Sequence, residues 1–255
     1  MSIISRALFA LLLLWAAPAL AANPAFVSGT VNSGSGLSVT TVTVTSTGSV
    51  TAGDIMIVTI VPVGAASAPT AITPPAGWST ALATTTVGAS NASAAVFWKL
   101  QAASGAFSGA FTWTTTGAGA TWTFSEWSGA NTTSPLDGTA TISQNASSAN
   151  PTSPSITPVA GNTSDTLVGF MIGDATGVAT TVTKPTAMST VVIVNESTTV
   201  PLTGAASLAL ASAAATGTKQ WTLSGAEVTL GVSLLLQPAG SGAACQPMSL
   251  LGVGC

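Results

Sequence analysis

The stretch VTTVTVT, Val39 to Thr45, places Val42 and Val44 on one side of an extended chain and Thr41, Thr43 and Thr45 on the other. Alternation with period two is the signature of a β-strand with one dry and one wet face, and branched side chains suit the pleat. A few residues on, Asp54 to Val63 reads DIMIVTIVPV, apolar on both faces, which predicts a central strand covered on each side. Working outward, Ala94, Val96, Trp98 and Leu100 alternate again, as do Trp122 and Phe124 in TWTFSEW. After residue 21 no window repeats apolar residues at helical spacing with caps. Turn clusters such as Thr73-Pro74-Pro75-Ala76-Gly77 interrupt the strands at short intervals. The expected class is therefore all-β: a two-sheet antiparallel sandwich connected as a jelly roll or Greek key.

The two halves of the chain answer each other. AGDIMIVTIV around Asp54 matches NTSDTLVGFMIG around Asp165, and PPAGWSTAL from Pro74 matches KPTAMSTVV from Lys184. The offsets hold nearly constant: 111 residues from Asp54 to Asp165, 110 from Pro75 to Pro185 and 108 from Trp113 to Trp221. Self-similarity at a fixed period predicts a pseudo-twofold internal duplication, with halves at about 26–130 and 137–239. Two tandem domains would need a linker between them, but SPSITPVAG from Ser153 supplies the counterpart of the Val39 strand. A junction that supplies a strand is a poor linker, so residues 22–239 are expected to form a single domain.

At the N-terminus, Arg6 precedes an apolar run from Ala7 to Trp15, then Pro18 and the small triplet Ala19-Leu20-Ala21. This is the pattern of a secretory signal over residues 1–21, cleaved before Ala22. The run is too short for a comfortable membrane span, and no later stretch is long and apolar enough to make one. The expected location is secreted, extracellular or periplasmic. Cys245 and Cys255 both lie in the tail, residues 240–255, and in an oxidising compartment they are expected to form a disulfide closing a small loop. A cross-link between subunits or to a partner is the alternative.

Composition excludes much chemistry. The chain of 255 residues has 4 Lys+Arg, 7 Asp+Glu, no His and no Tyr. Without imidazole there is no Ser-His-Asp or Cys-His machinery. Arg6, Lys99, Lys184 and Lys219 are too few and too scattered for a phosphate-binding footprint, so nucleic acid is not an expected partner. Catalysis would have to rest on carboxylates, as in glycoside hydrolysis, drawing on Asp54, Glu126, Asp137, Asp165, Asp174, Glu196 and Glu227. Asp54 and Asp165 precede matching strands, where Asp commonly bonds turn backbone. Glu126 is the buried-carboxylate candidate, because alternation from Trp122 and Phe124 aims it at the apolar face. The alternative is a bulge at Ser125 that turns Glu126 to solvent and gives Trp127 the inward place. No DxDxDG run is present, and neither a metal nor a cofactor is expected.

The segments AGD before an apolar strand, PPAGW, FTW and WTFSEWSGANTTSPLD together resemble a β-sandwich module of secreted bacterial surface proteins and phage structural proteins. The resemblance covers most of 50–138 and, more loosely, 160–237; it implies fold and compartment and carries no established chemistry. The expected function is a non-enzymatic structural or adhesive protein at a cell or virion surface, with self-association or surface glycans as partners. The second reading is a carbohydrate-binding module whose platform combines Trp78, in a turn, and Trp127, out of phase with its strand, with Lys99 and Asn131. A carboxylate-dependent glycoside hydrolase is the distant third.

Overall fold

A computed structural model describes residues 21–240 apart from 116, 160–161, 175–178, 180 and 196–199. The signal segment, apart from Ala21, and the two cysteines lie outside the described residues. The first half contains β1 (Ala25–Leu37), β2 (Thr41–Val50), β3 (Ile55–Gly64), β4 (Ile72–Thr73), β5 (Ser79–Thr86), β6 (Ser93–Leu100), β7 (Gly105–Trp113) and β8 (Gly117–Ser128). The second contains β9 (Thr141–Ser148), β10 (Thr152–Ser153), β11 (Thr166–Gly173), β12 (Val182–Thr183), β13 (Ser189–Val194), β14 (Thr203–Ala209), β15 (Lys219–Gln220), β16 (Thr222–Leu223) and β17 (Glu227–Leu236). All pairings between these strands are antiparallel.

In the first half, β1-β8-β3-β6-β5 form one sheet and β2-β7-β4 another. The chain changes sheets at every connection except β5–β6, which is the winding of a jelly roll. The second half repeats the order: β9-β17-β11-β14-β13 form the large sheet, faced by the ribbons β10-β15 and β12-β16. Each strand of one large sheet has its counterpart at the same place in the other.

Antiparallel sheets pack face to face, as the alternation predicts, but they stack in four layers. The cause is visible in β3, where all ten residues are buried. Met56, Val58 and Ile60 pack with Val42, Val44, Phe111 and Trp113 of the outer sheet. Ile55, Ile57, Val61 and Val63 face the other way and meet Val168, Phe170 and Ile172 of β11 and Leu230 to Leu236 of β17. In β11, Leu167 and Met171 point outward to a third cluster with Trp221 and Leu223. A strand apolar on both faces requires cover on both, and each half supplies the other's inner cover. In β2 the period-two pattern holds residue by residue, with Val42 and Val44 buried and Thr41 and Thr43 exposed.

The two large sheets meet with corresponding strands exchanged. β1 lies against β13. On the opposite flank β9 meets the end of β5, where Gln144 donates to the Thr86 carbonyl (2.7 Å) and accepts from the Gly88 amide (2.8 Å). First strand to fifth and fifth to first is the arrangement of a two-fold, isologous contact, here formed within one chain. Thr121 and Thr203 join hydroxyls across this buried layer at 3.1 Å.

Candidate functional site

Glu126 keeps the alternation of its strand. Trp122 and Phe124 pack into the outer cluster of the first half, and Glu126 follows them inward, fully buried. Its Oε1 accepts the Thr51 amide at 2.8 Å. Thr51 opens a tight turn through Gly53 (φ 90°), a left-handed backbone that glycine adopts without strain. The turn delivers Asp54 beside Glu126. Burial, then a hydrogen bond to Glu126 and its charge, push the Asp54 carboxyl up to about 6. A hydrogen bond between two carboxyls exists only while one of them carries a proton. Replacing Glu126 by Ala should cost about 1–3 kcal/mol by orphaning the Thr51 amide. Glu126→Gln keeps that acceptor, and the Asp54 titration, followed by NMR, should move down from about 6. An Asp54 titration unchanged in Glu126→Gln would show that the two groups do not share the proton.

A second carboxyl pair lies in the second half. Asp165, immediately before β11, is fully buried, and Asp137 is buried in the connection between the halves. Asp137 Oδ2 accepts the Val159 amide at 2.7 Å, while burial first, with both Asp165 carboxyl oxygens left without a donor, and then the neighbouring Asp137 carboxyl push Asp165 up to about 8. Asp174 and Glu227 are also buried, the Asp174 amide donating to Glu227 Oε1 at 2.8 Å. Every described carboxylate is therefore inside the protein. The described surface keeps only the half-buried Lys99, Lys184 and Lys219 as ions. Among the described residues no three acidic or sulfur side chains converge as a metal site would need.

The four residues expected to make a glycan platform are not brought together. Trp127 is fully buried in the layer between the halves, with its Nε1 donating to Ser125 Oγ at 3.0 Å. Its being out of phase does not expose it, because β8 is covered on both faces and the second phase is simply the other core. Trp78 is half-buried on the opposite side of the same sheet, edge-on to Phe107 and Phe111 with centroids 5.2 and 5.4 Å away. Lys99 does accompany Trp78, since Ser79 pairs with Trp98 and the Lys99 tip lies over Gly77. Asn131 is occupied locally, its Oδ1 accepting the Thr133 and Ser134 amides and its Nδ2 reaching Gln237.

A concave feature of the described surface lies elsewhere. Where β1 and β13 part, a groove of about 490 Å³ opens between the inner sheets. Phe26 forms one wall, backed by the fully buried Trp127 with ring centroids 5.6 Å apart and tilted by 51°. Thr166, Ser189, Ser207 and Ala209 of the second half form the other, and Asn23 and Pro24 close the end. These residues come from separate segments spread between positions 23 and 209, and none carries a motif, so only the packing of the halves assembles them. No family profile, curated protein or solved structure matches the chain.

Proposed function

We propose that the chain is a secreted, non-enzymatic structural or adhesive protein that acts through an almost uncharged β-sandwich surface. The observation that supports this reading is the placement of charge. All six described carboxylates are buried, and Thr, Ser and small apolar residues make up the wet faces, as in the exposed Thr41 and Thr43 of β2. Such a surface meets other surfaces without ionic desolvation cost and without salt-dependent steering. The resemblance of 50–138 to surface and virion modules, the signal at 1–21 and a Cys245–Cys255 disulfide belong to the same reading. So does a duplication of one jelly roll, which the matching strand orders support.

The test uses the protein recovered from the medium or periplasm of an expressing cell. Its mass should place the first residue at Ala22, with the two cysteines oxidised. Beads coated with it should adhere to one another or to cell-surface material equally at low and high ionic strength. Retention of residues 1–21, adhesion abolished by moderate salt, or release of sugar from a glycan substrate would each count against the proposal.

A further inference from the structure

We propose that the groove between β1 and β13 binds a short, uncharged saccharide. This deepens the adhesive reading by giving the surface a ligand class, and it rests on that reading. The groove holds no ionisable side chain. Asp165 and Glu126, the chain neighbours of Thr166 and Trp127, are both fully buried, and the Asp165 backbone carbonyl accepts from Asn23 at the rim. A charged ligand would lose its hydration against side chains that offer no counter-charge; the one cation beside the rim is the α-amino group that cleavage before Ala22 creates, on an exposed residue next to Asn23.

The walls differ in chemistry. Phe26 is half-buried and rests against Trp127, so its free face offers the flat apolar surface on which sugar C–H groups stack. Across from it, Ser189 and Ser207 are direct cross-strand partners and therefore share one face of the sheet. Ser207 is on the inner face, two residues from Ala205 of the inner core. Neither hydroxyl has a protein hydrogen-bond partner among the described residues, whereas the neighbouring polar groups are engaged. Thr166 Oγ1 donates to the Pro24 carbonyl at 2.6 Å, and Asn23 Nδ2 donates to the carbonyls of Asp165 and Leu210, both at 2.8 Å. These bonds fix the rim, so the groove is formed before a ligand arrives. A purely apolar guest would leave the two serine hydroxyls facing it unpaired. An uncharged molecule with an apolar face and a hydroxyl-bearing edge satisfies both walls, and a volume of about 490 Å³ is ordinary for a small-ligand site.

The two-fold relation of the halves supplies a contrast. The corresponding flank, between β9 and β5, is bridged by the Gln144 side chain through Thr86 and Gly88. The two flanks of the same packing thus differ, and the one between β1 and β13 is left open.

The mature full-length protein should be titrated with neutral gluco-, manno-, galacto- and N-acetylglucosamine oligosaccharides and with uronate oligosaccharides, using ligand-observed NMR. At least one neutral series should bind, with an affinity unchanged between low and high salt, and the uronates should not. Ser189→Trp, which fills the groove from an exposed edge-strand position, and Phe26→Ala, which removes one wall, should each weaken binding at least tenfold. Circular dichroism of each variant verifies that it is folded. Silence from every neutral series, preference for uronates, or undiminished binding by both folded variants would overturn the proposal. Bead adhesion measured on the same samples separates the two ideas. Adhesion that persists while the saccharide titration is silent removes the groove and leaves the adhesive reading, whereas non-adhesive beads remove that reading whatever the titration gives.

Discussion

Acidification from about pH 8 to about pH 4 will stabilise this protein, the reverse of the usual acid response. Asp165 is raised from the ordinary 3.8 to about 8 by burial and by Asp137, and Asp54 is raised to about 6 by burial and by Glu126. In the window between the unfolded and folded values the native state holds a proton that the unfolded chain releases. Stability therefore falls as pH rises through the window, and it is fully restored below about 4. A tenfold difference in proton affinity between the folded and unfolded chain is worth about 1.4 kcal/mol. With relaxation of the pair, Asp165 should account for a few kcal/mol between pH 4 and 8. Asp165→Asn keeps the size and shape of the side chain but has no group that can ionise. The variant should melt several degrees above the parent at pH 8, about 2–4 °C for each kcal/mol in a chain of this size, and the difference should vanish near pH 4. Thermal melts at half-unit pH intervals will decide. A parent melting temperature that climbs from pH 5 to 8, or an Asp165→Asn variant with the parent's slope, would contradict the assignment.

Truncating Phe170 should lower the stability of both halves together. Phe170 is buried in β11 between Ala205 and Val232 and faces the layer containing Ile55, Ile57 and Trp127 of the other half. Phe170→Ala removes the ring and leaves a cavity between two β-sheets that cannot collapse freely, at a cost of about 3–5 kcal/mol. That is enough to lower the melting temperature by roughly 10 °C. Because each large sheet is the other's inner cover, calorimetry should show one transition in the parent and one, displaced, in the variant. Trp221→Ala lies in the outer core of the second half alone and should displace the same single transition. Two transitions, one of them unmoved by either substitution, would mean that the halves fold as independent domains.

The residues most legible in the sequence are those whose role depends on neighbours in the same strand. Val42 and Val44 against Thr41 and Thr43, the double-faced burial of Ile55 to Gly64, and Glu126 in phase with Phe124 all follow from the two-residue period of a pleated chain. Trp127 shows where that reasoning stops. Period two says that it faces away from Phe124, but whether that side is water or a second core depends on what covers the sheet. The cover is β11, β14 and β17, beyond the reach of any local pattern.

Charge shows the same division. Composition alone establishes that the chain has few ions and no histidine, which removes imidazole chemistry and leaves hydroxyls for the wet faces. Strand alternation, turn clusters and the near-constant offset between halves are likewise properties of the chain itself, because each rests on spacing along the backbone. The tertiary structure alone decides that the described carboxylates go inside, that Asp54 finds Glu126 and Asp165 finds Asp137, and that Phe26 faces Ser189 and Ser207 across an open flank. Those pairings join residues up to about 180 positions apart. They are set by how two already-formed sheets dock to bury their remaining apolar faces, a choice made by the summed area of contact and by no single residue.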